Sequence, residues 1–250
     1  MQNNLLNSFW NVKTTQKKAF AILIDPDGLT EERLSSLLTL CRGNKIDYFF
    51  VGGSLITNDV MDQTIRMIKK ETTVPVILFP GNSLHISSLA DGILFLSLIS
   101  GRNAEFLIGQ QVVAAPVLKA SGLEIMPTGY MLIDGGRPTT VSYMSNTNPI
   151  PHNKPAIAAC TAMAGEMLGL KVMYLDAGSG AENSVSPAMV SAVRQAVDTP
   201  IIVGGGIDSS EKVKELLEAG ADIVVVGNGI EKDMSLIKEI AQVVESFSNN

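Results

Sequence analysis

The chain has 250 residues, 46% of them hydrophobic and only 18% charged, with a net charge of −6. That length suits one (β/α)8 barrel, and the composition excludes a disordered chain. The acidic balance and the lack of any Lys/Arg run exclude a nucleic-acid binder.

Met1 to Lys18 is polar and lacks the apolar h-region of a signal peptide, so a cytoplasmic protein is expected. Ala19 to Ile24 reads as the first strand. Thr30 then offers an N-cap, with Leu34, Leu37, Leu38 and Cys41 spaced for one buried helix face. Tyr48 to Val51 is a second strand ending at Gly52-Gly53-Ser54, and residues 58–71 follow as a helix. Val76 to Phe79 is a third strand, stopped by Pro80-Gly81. Residues 82–91 are too short for a full helix, which leaves an irregular unit before the strand Ile93 to Leu98.

A long helix over 103–120 precedes a fifth strand within 123–133. Residues 134–153 then form an unusual insert, with Asp134-Gly135-Gly136-Arg137, a strand expected at Thr139 to Met144, and a Pro149-Ile150-Pro151 loop. Pro155 suits the first turn of the next helix. Val172 to Leu175 is the sixth strand, and Ser186-Pro187 opens a helix that buries Met189, Val190, Val193 and Val197. The seventh strand, Ile201-Ile202-Val203, is followed by a helix in which Asp208 and Glu211 have capping-box spacing, Val213, Leu216 and Leu217 form the buried stripe, and Gly220 suits the C′ position. Ile223 to Val226 is the eighth strand, leading to Asp233 and a helix over 234–246. Eight strands alternating with eight helix-like slots, the third degenerate, predict one α/β domain over residues 1–250.

Mean hydropathy, +0.24, is high for a soluble enzyme, yet no apolar stretch reaches the roughly 18 residues of a membrane span. The surplus is expected in a full barrel core, with room for an apolar groove. Leu94, Phe95, Leu96, Met126, Tyr130 and Met131 read either as lining for such a groove or as ordinary core. Cys41 and Cys160 are far apart and are expected reduced on buried helix faces; with His85 and His152 unclustered, a zinc site is not expected.

Side chains at the C-terminal ends of barrel strands converge on one face, so chemistry is sought there, at Asp25, Asp27, Ser54, Asp134, Asp176, Ser179 and the glycine turns. Gly204-Gly205-Gly206-Ile207 and Gly227-Asn228-Gly229-Ile230 close successive strands; glycines there let backbone N–H groups approach an oxyanion, which predicts a phosphorylated small molecule. Asp25-Pro26-Asp27-Gly28 reads either as a turn or as a carboxylate at the barrel mouth, where Asp25 with the Ser54 hydroxyl could hold Mg²⁺. Tyr174-Leu175-Asp176-Ala177-Gly178-Ser179-Gly180 ends a strand in an acid and runs into small residues, setting hydroxyl and backbone donors beside a carboxylate. Arg102 and Arg137 read equally as contacts to a second phosphate or as surface charges.

Leu23-Ile24-Asp25-Pro26-Asp27, Val51-Gly52-Gly53-Ser54, Ser145 to Pro155, Tyr174 to Gly180, Ile202 to Ile207 and Val226 to Asn228 occur in order across most of the chain. Together they resemble the geranylgeranylglyceryl phosphate synthase family, with its bacterial heptaprenylglyceryl phosphate relatives. The insert is similar to the larger of the family's two groups. The resemblance implies a modified TIM (β/α)8 barrel with an irregular segment in place of the third helix. It implies transfer of a prenyl chain, expected to be geranylgeranyl, from a prenyl diphosphate to the 3-hydroxyl of sn-glycerol 1-phosphate, with diphosphate released. It also implies Asp25 and Ser54 as Mg²⁺ ligands. Tyr174, Leu175, Asp176, Ala177, Gly178, Ser179, Gly180, Gly205, Gly206, Gly227 and Asn228 are implied as the glycerol phosphate site. Asp176 is expected as general base, in place of the family's usual glutamate, and Gly28 stands where a lysine often follows. A homo-oligomer, hexameric in the larger group, and a transient membrane-surface contact for product release are further expectations. A barrel isomerase or lyase on a small phosphorylated substrate, or a catalytically inactive phosphate-binding barrel, are the other readings of the same residues.

Overall fold

The computed structural model describes residues 4–55 and 60–248. Eight strands pair in parallel, each with the next in sequence and the last with the first, closing a barrel. They are β1 (Ala19–Ile24), β2 (Tyr48–Gly53), β3 (Val76–Pro80), β4 (Gly92–Leu98), β5 (Glu124–Leu132), β6 (Val172–Asp176), β7 (Ile201–Gly204) and β8 (Ile223–Val226). The helices are α1 (Leu5–Thr14), α2 (Glu31–Cys41), α3 (Met61–Glu71), α4 (Gln110–Ser121), α5 (Thr140–Ser145), α6 (Pro155–Met167), α7 (Pro187–Ala196), α8 (Ser210–Glu218), α9 (Asn228–Lys232) and α10 (Leu236–Ser246). A π-helix over Glu105–Gly109 runs directly into α4. No helix joins β3 to β4, so the irregular unit expected over 82–91 is found. The first two residues of the helix expected at 58–71 lie outside the described residues.

Alternation along the strands divides the core in two. Ala19 and Ala21 of β1, Tyr48 and Phe50 of β2, and Val172 and Tyr174 of β6 belong to the inner cluster, while Phe20, Ile22, Phe49 and Met173 pack outward against the helices. Because side chains alternate with a period of two, Asp25, Ser54, Asp176, Gly206 and Gly227 all fall on the inward phase where their strands end. The local chain pattern therefore decides which groups face the mouth.

The sequence reading missed α1, which closes the opposite, N-terminal end of the barrel. Leu5 and Phe9 are buried there, and Phe9 packs edge-on against Tyr48 with ring centroids 5.0 Å apart. The Glu124 carboxylate accepts hydrogen bonds from the Leu5 and Leu6 backbone N–H groups at 2.6 and 2.8 Å, satisfying donors that the first turn leaves open.

Three other expectations are corrected. Thr139 to Met144 is helix rather than strand: every barrel edge is already paired, and Thr139 and Ser142 form a capping box that starts α5. The cap of α8 is Ser209, whose side chain accepts from Lys212 N–H; Asp208 instead pairs with the Lys212 ammonium at 2.8 Å. Cys41 is buried, and burial pushes its thiol up to about 12, whereas Cys160 is exposed on α6.

Candidate functional site

Two cavities share the C-terminal mouth of the barrel. The polar one lies over β6, β7, β8 and β1 and is lined by Asp25, Tyr174, Asp176, Ser179, the Gly205-Gly206 turn and the Gly227-Asn228 turn. The apolar one runs from Phe79 down between β3, β4 and α4, past Phe95, Leu96, Phe106, Ala114 and Leu118, with Val141 and Met144 of α5 closing its side. Gly53, Ser54 and Phe79 line both, so a polar pocket opens directly into a hydrocarbon groove. Of the groove residues read from sequence, Phe95, Leu96 and Tyr130 line it. Leu94 and Met126 fill the barrel interior, and Met131 packs outward.

The β6 end is tightly built. Asp176 is buried, and its Oδ2 accepts from the Tyr130 hydroxyl at 2.6 Å while Oδ1 accepts from Gly178 N–H at 2.7 Å. Burial raises its carboxyl above the ordinary range, and these two hydrogen bonds pull it partly back. Tyr174 stacks on Phe79, centroids 5.1 Å apart, and Tyr130 leans on both rings at 5.6 and 5.9 Å. The three rings stand at the seam between pocket and groove.

Gly205 has φ +80°, and a Cβ there would meet Asp176 Oδ1 at 2.5 Å and Gly178 N at 2.6 Å. Only glycine lets β7 fold back over the β6 loop at this distance. Ser179 Oγ donates to Asn228 Oδ1 at 2.7 Å, which ties that loop to the start of α9. The sequence-predicted residues of β6, β7 and β8 thus lie around one pocket. Leu175 of β6 instead packs outward against the helices, and Ala177 and Gly178 form the loop without lining the pocket.

Asp25 and Ser54 line the same pocket. Asp25-Pro26-Asp27-Gly28 is a turn as well, with Gly28 N–H bonded to Asp25 O at 3.0 Å and Asp27 N–H to Asp25 Oδ1 at 3.0 Å. The segment is thus a turn whose Asp25 carboxylate lines the pocket. Glu231 of α9, which sequence reasoning did not single out, stands close by. Burial first, and then the Asp25 charge, push its carboxyl upward. Burial likewise raises Asp25. Among the described residues neither carboxylate has a Lys or Arg nitrogen within 4.0 Å. The Arg33 guanidinium donates to the Glu231 backbone carbonyl and draws its carboxyl partly back down. Two half-buried carboxylates beside a hydroxyl residue are hard oxygen donors of the kind Mg²⁺ takes. No group of three or more His, Cys, Asp or Glu suited to a metal occurs among the described residues.

Other candidates lie elsewhere. Asp134 Oδ1 accepts from Gly136 N–H at 3.0 Å in a turn beneath α5, outside the polar pocket. The Arg137 guanidinium donates to Gly180 O, bracing the β6 loop, and Arg102 donates to Gly101 O at 2.8 Å. His85 Nδ1 accepts from Gly81 N–H at 3.1 Å and holds the turn after β3. No helix among the described residues is long and apolar enough to cross a membrane.

The profile of the PcrB family matches residues 12–244. A geranylgeranylglyceryl phosphate synthase of Spirosoma linguale is 59% identical over 238 residues, covering 95% of this chain and 96% of that one. The synthase of the same name from Pyrococcus horikoshii is 42% identical, covering 95% and 92%. The crystal structure of (S)-3-O-geranylgeranylglyceryl phosphate synthase from Thermoplasma acidophilum, in complex with its substrate sn-glycerol-1-phosphate, superposes with a TM-score of 0.90 at 34% identity, over 97% of this chain and 98% of that one. An archaeal fructose 1,6-bisphosphate aldolase at 16% identity and TM-score 0.62 shares the barrel fold alone.

Proposed function

The chain belongs to the PcrB family, and we propose from that premise that it joins a prenyl diphosphate to the 3-hydroxyl of sn-glycerol 1-phosphate. The products are a glyceryl ether and diphosphate. One observation carries this reading: a glycine-walled polar pocket opens, through Gly53, Ser54 and Phe79, into a groove lined by hydrocarbon side chains. An isomerase or lyase acting on a small phosphorylated compound has no use for that groove.

The backbone amides of the Gly205-Gly206 and Gly227-Asn228 turns bind the glycerol phosphate, which orients its hydroxyl toward the allylic carbon in the groove mouth. Asp176 accepts the proton of that hydroxyl, held in place by Tyr130 and Gly178 N–H. The electron pair of the hydroxyl oxygen forms the new C–O bond as the bond to diphosphate breaks. The rings of Phe79, Tyr130 and Tyr174 exclude water at the seam. Asp25 and Ser54 would hold Mg²⁺, which when bound neutralises charge building on the departing diphosphate. Exposed Val112, Val113 and Val117 on α4 and Met167 and Leu168 at the end of α6 support self-association. A cytoplasmic enzyme that touches a membrane surface to release product fits a catalytic barrel with a groove that opens outward.

The test is turnover of labelled sn-glycerol 1-phosphate with isoprenyl diphosphates of ten to thirty-five carbons in Mg²⁺. A Mg²⁺-dependent ether product with diphosphate released supports the reading. Binding of glycerol phosphate with no turnover of any prenyl diphosphate leaves only the inactive barrel.

A further inference from the structure

The polar pocket is short of positive charge. Asp25, Asp176, Asp208 and Glu231 line it, and Lys232 is the one basic side chain among its described lining residues. A phosphate monoester near neutral pH carries about −1.5 to −2 charges, and backbone N–H groups offer only partial charges against it.

The other basic groups beside the phosphate turns are committed. Lys212 donates to Gly206 O at 3.2 Å and pairs with Asp208 at 2.8 Å. Arg137 is bound to Gly180 O. Lys232 is exposed, and among the described residues it makes no hydrogen bond or ion pair.

Its position supplies a direction. Helix α9 runs Asn228–Lys232, so Lys232 stands four residues after Asn228, on the same helix face one turn along. Helical Cα–Cβ bonds tilt toward the N-terminus, which turns the lysine stem back toward Asn228 and the Gly227 turn rather than away from them. Asn228 is itself held in the pocket by Ser179.

We propose that Lys232 is the cationic side chain that binds the phosphate group of the glycerol phosphate, closing over it from α9 as a point charge. This rests on the glycerol phosphate reading above and adds a residue to it. The turn Asp25-Pro26-Asp27-Gly28 on the other side of the pocket contributes no basic side chain either.

Titration calorimetry with sn-glycerol 1-phosphate tests it on the whole chain, comparing wild type with Lys232→Gln and Lys232→Arg. Glutamine is expected to weaken binding about tenfold to a hundredfold, as for loss of a charge-assisted hydrogen bond, while arginine retains most of the affinity. Affinity for geranylgeranyl diphosphate in Mg²⁺ stays unchanged in both. Lys232→Gln that binds sn-glycerol 1-phosphate like wild type overturns the lysine assignment and leaves the pocket reading intact. So does a variant whose lost affinity is for the prenyl diphosphate instead. Wild-type protein that binds no sn-glycerol 1-phosphate removes the pocket reading, and the lysine's role with it.

Discussion

The Tyr130 hydroxyl donates to Asp176 Oδ2 at 2.6 Å, from one barrel strand to the next. The tyrosine ring lines the apolar groove and the carboxylate lines the polar pocket, so this single bond spans the seam between the two cavities. Burial holds the Asp176 carboxyl above its ordinary range, and Tyr130 is the first of two donors pulling it down. On the proposed mechanism, Tyr130 is a positioning residue for the base.

Tyr130→Phe removes a bond that favours the charged carboxylate, so the Asp176 carboxyl rises further. A base must be deprotonated to act. The acidic limb of the kcat/KM profile therefore moves to higher pH in the variant, and a profile that stays in place removes Tyr130 from the base's environment.

Asp176→Asn is expected to lower turnover by about 10²-fold or more. Its effect on folding has the opposite sense. A carboxyl raised in the folded state contributes stability below its unfolded value, and that contribution is lost as pH rises through the folded value. Thermal unfolding across this window should fall with pH in the parent and flatten in Asp176→Asn. Asp176→Glu tests whether the shorter acid matches the Tyr130 bond: equal activity in both forms shows that the pocket accepts either length.

Asp25→Ala should abolish Mg²⁺-dependent turnover and leave sn-glycerol 1-phosphate binding largely intact. Mn²⁺ titration followed by electron paramagnetic resonance reads the metal directly. Unchanged Mn²⁺ affinity in the variant would take Asp25 out of the metal site.

Gly205→Ala places a Cβ against Asp176 Oδ1 and the Gly178 amide at a φ of +80°. Backbone strain alone costs about 1–2 kcal/mol, and relief of the contact displaces the carboxylate. Both glycerol phosphate affinity and turnover should drop. Full activity would mean that the turn has room the geometry does not show.

Phe9→Ala opens a cavity at the far end of the barrel, next to Tyr48. Truncation of a buried phenylalanine costs about 3–5 kcal/mol. Chemical denaturation should show that loss, with KM for both substrates unchanged at temperatures where the variant is folded.

Much of this protein was legible residue by residue. The alternation of β1, β2 and β6, the cap at Thr30 and the short unit after Pro80 are local properties, set by sterics and hydrogen bonding within a few residues. They already placed Asp25, Ser54, Asp176 and the glycine turns at one end of a barrel. Other features depend on partners distant in the chain. The Thr139–Met144 segment has strand-like side chains, yet in a barrel whose edges are all paired its capping box wins and it becomes the wall of a groove. The N-terminal helix shows its role only where Leu5 and Phe9 meet the open end of the strands. Glu231 and Lys232 acquire meaning because closure of β8 onto β1 sets α9 beside Asp25. Sequence determines what each strand presents; only closure decides which strands share a pocket, because it sets the two ends of the chain side by side, Ala19 of β1 against Ile223 of β8.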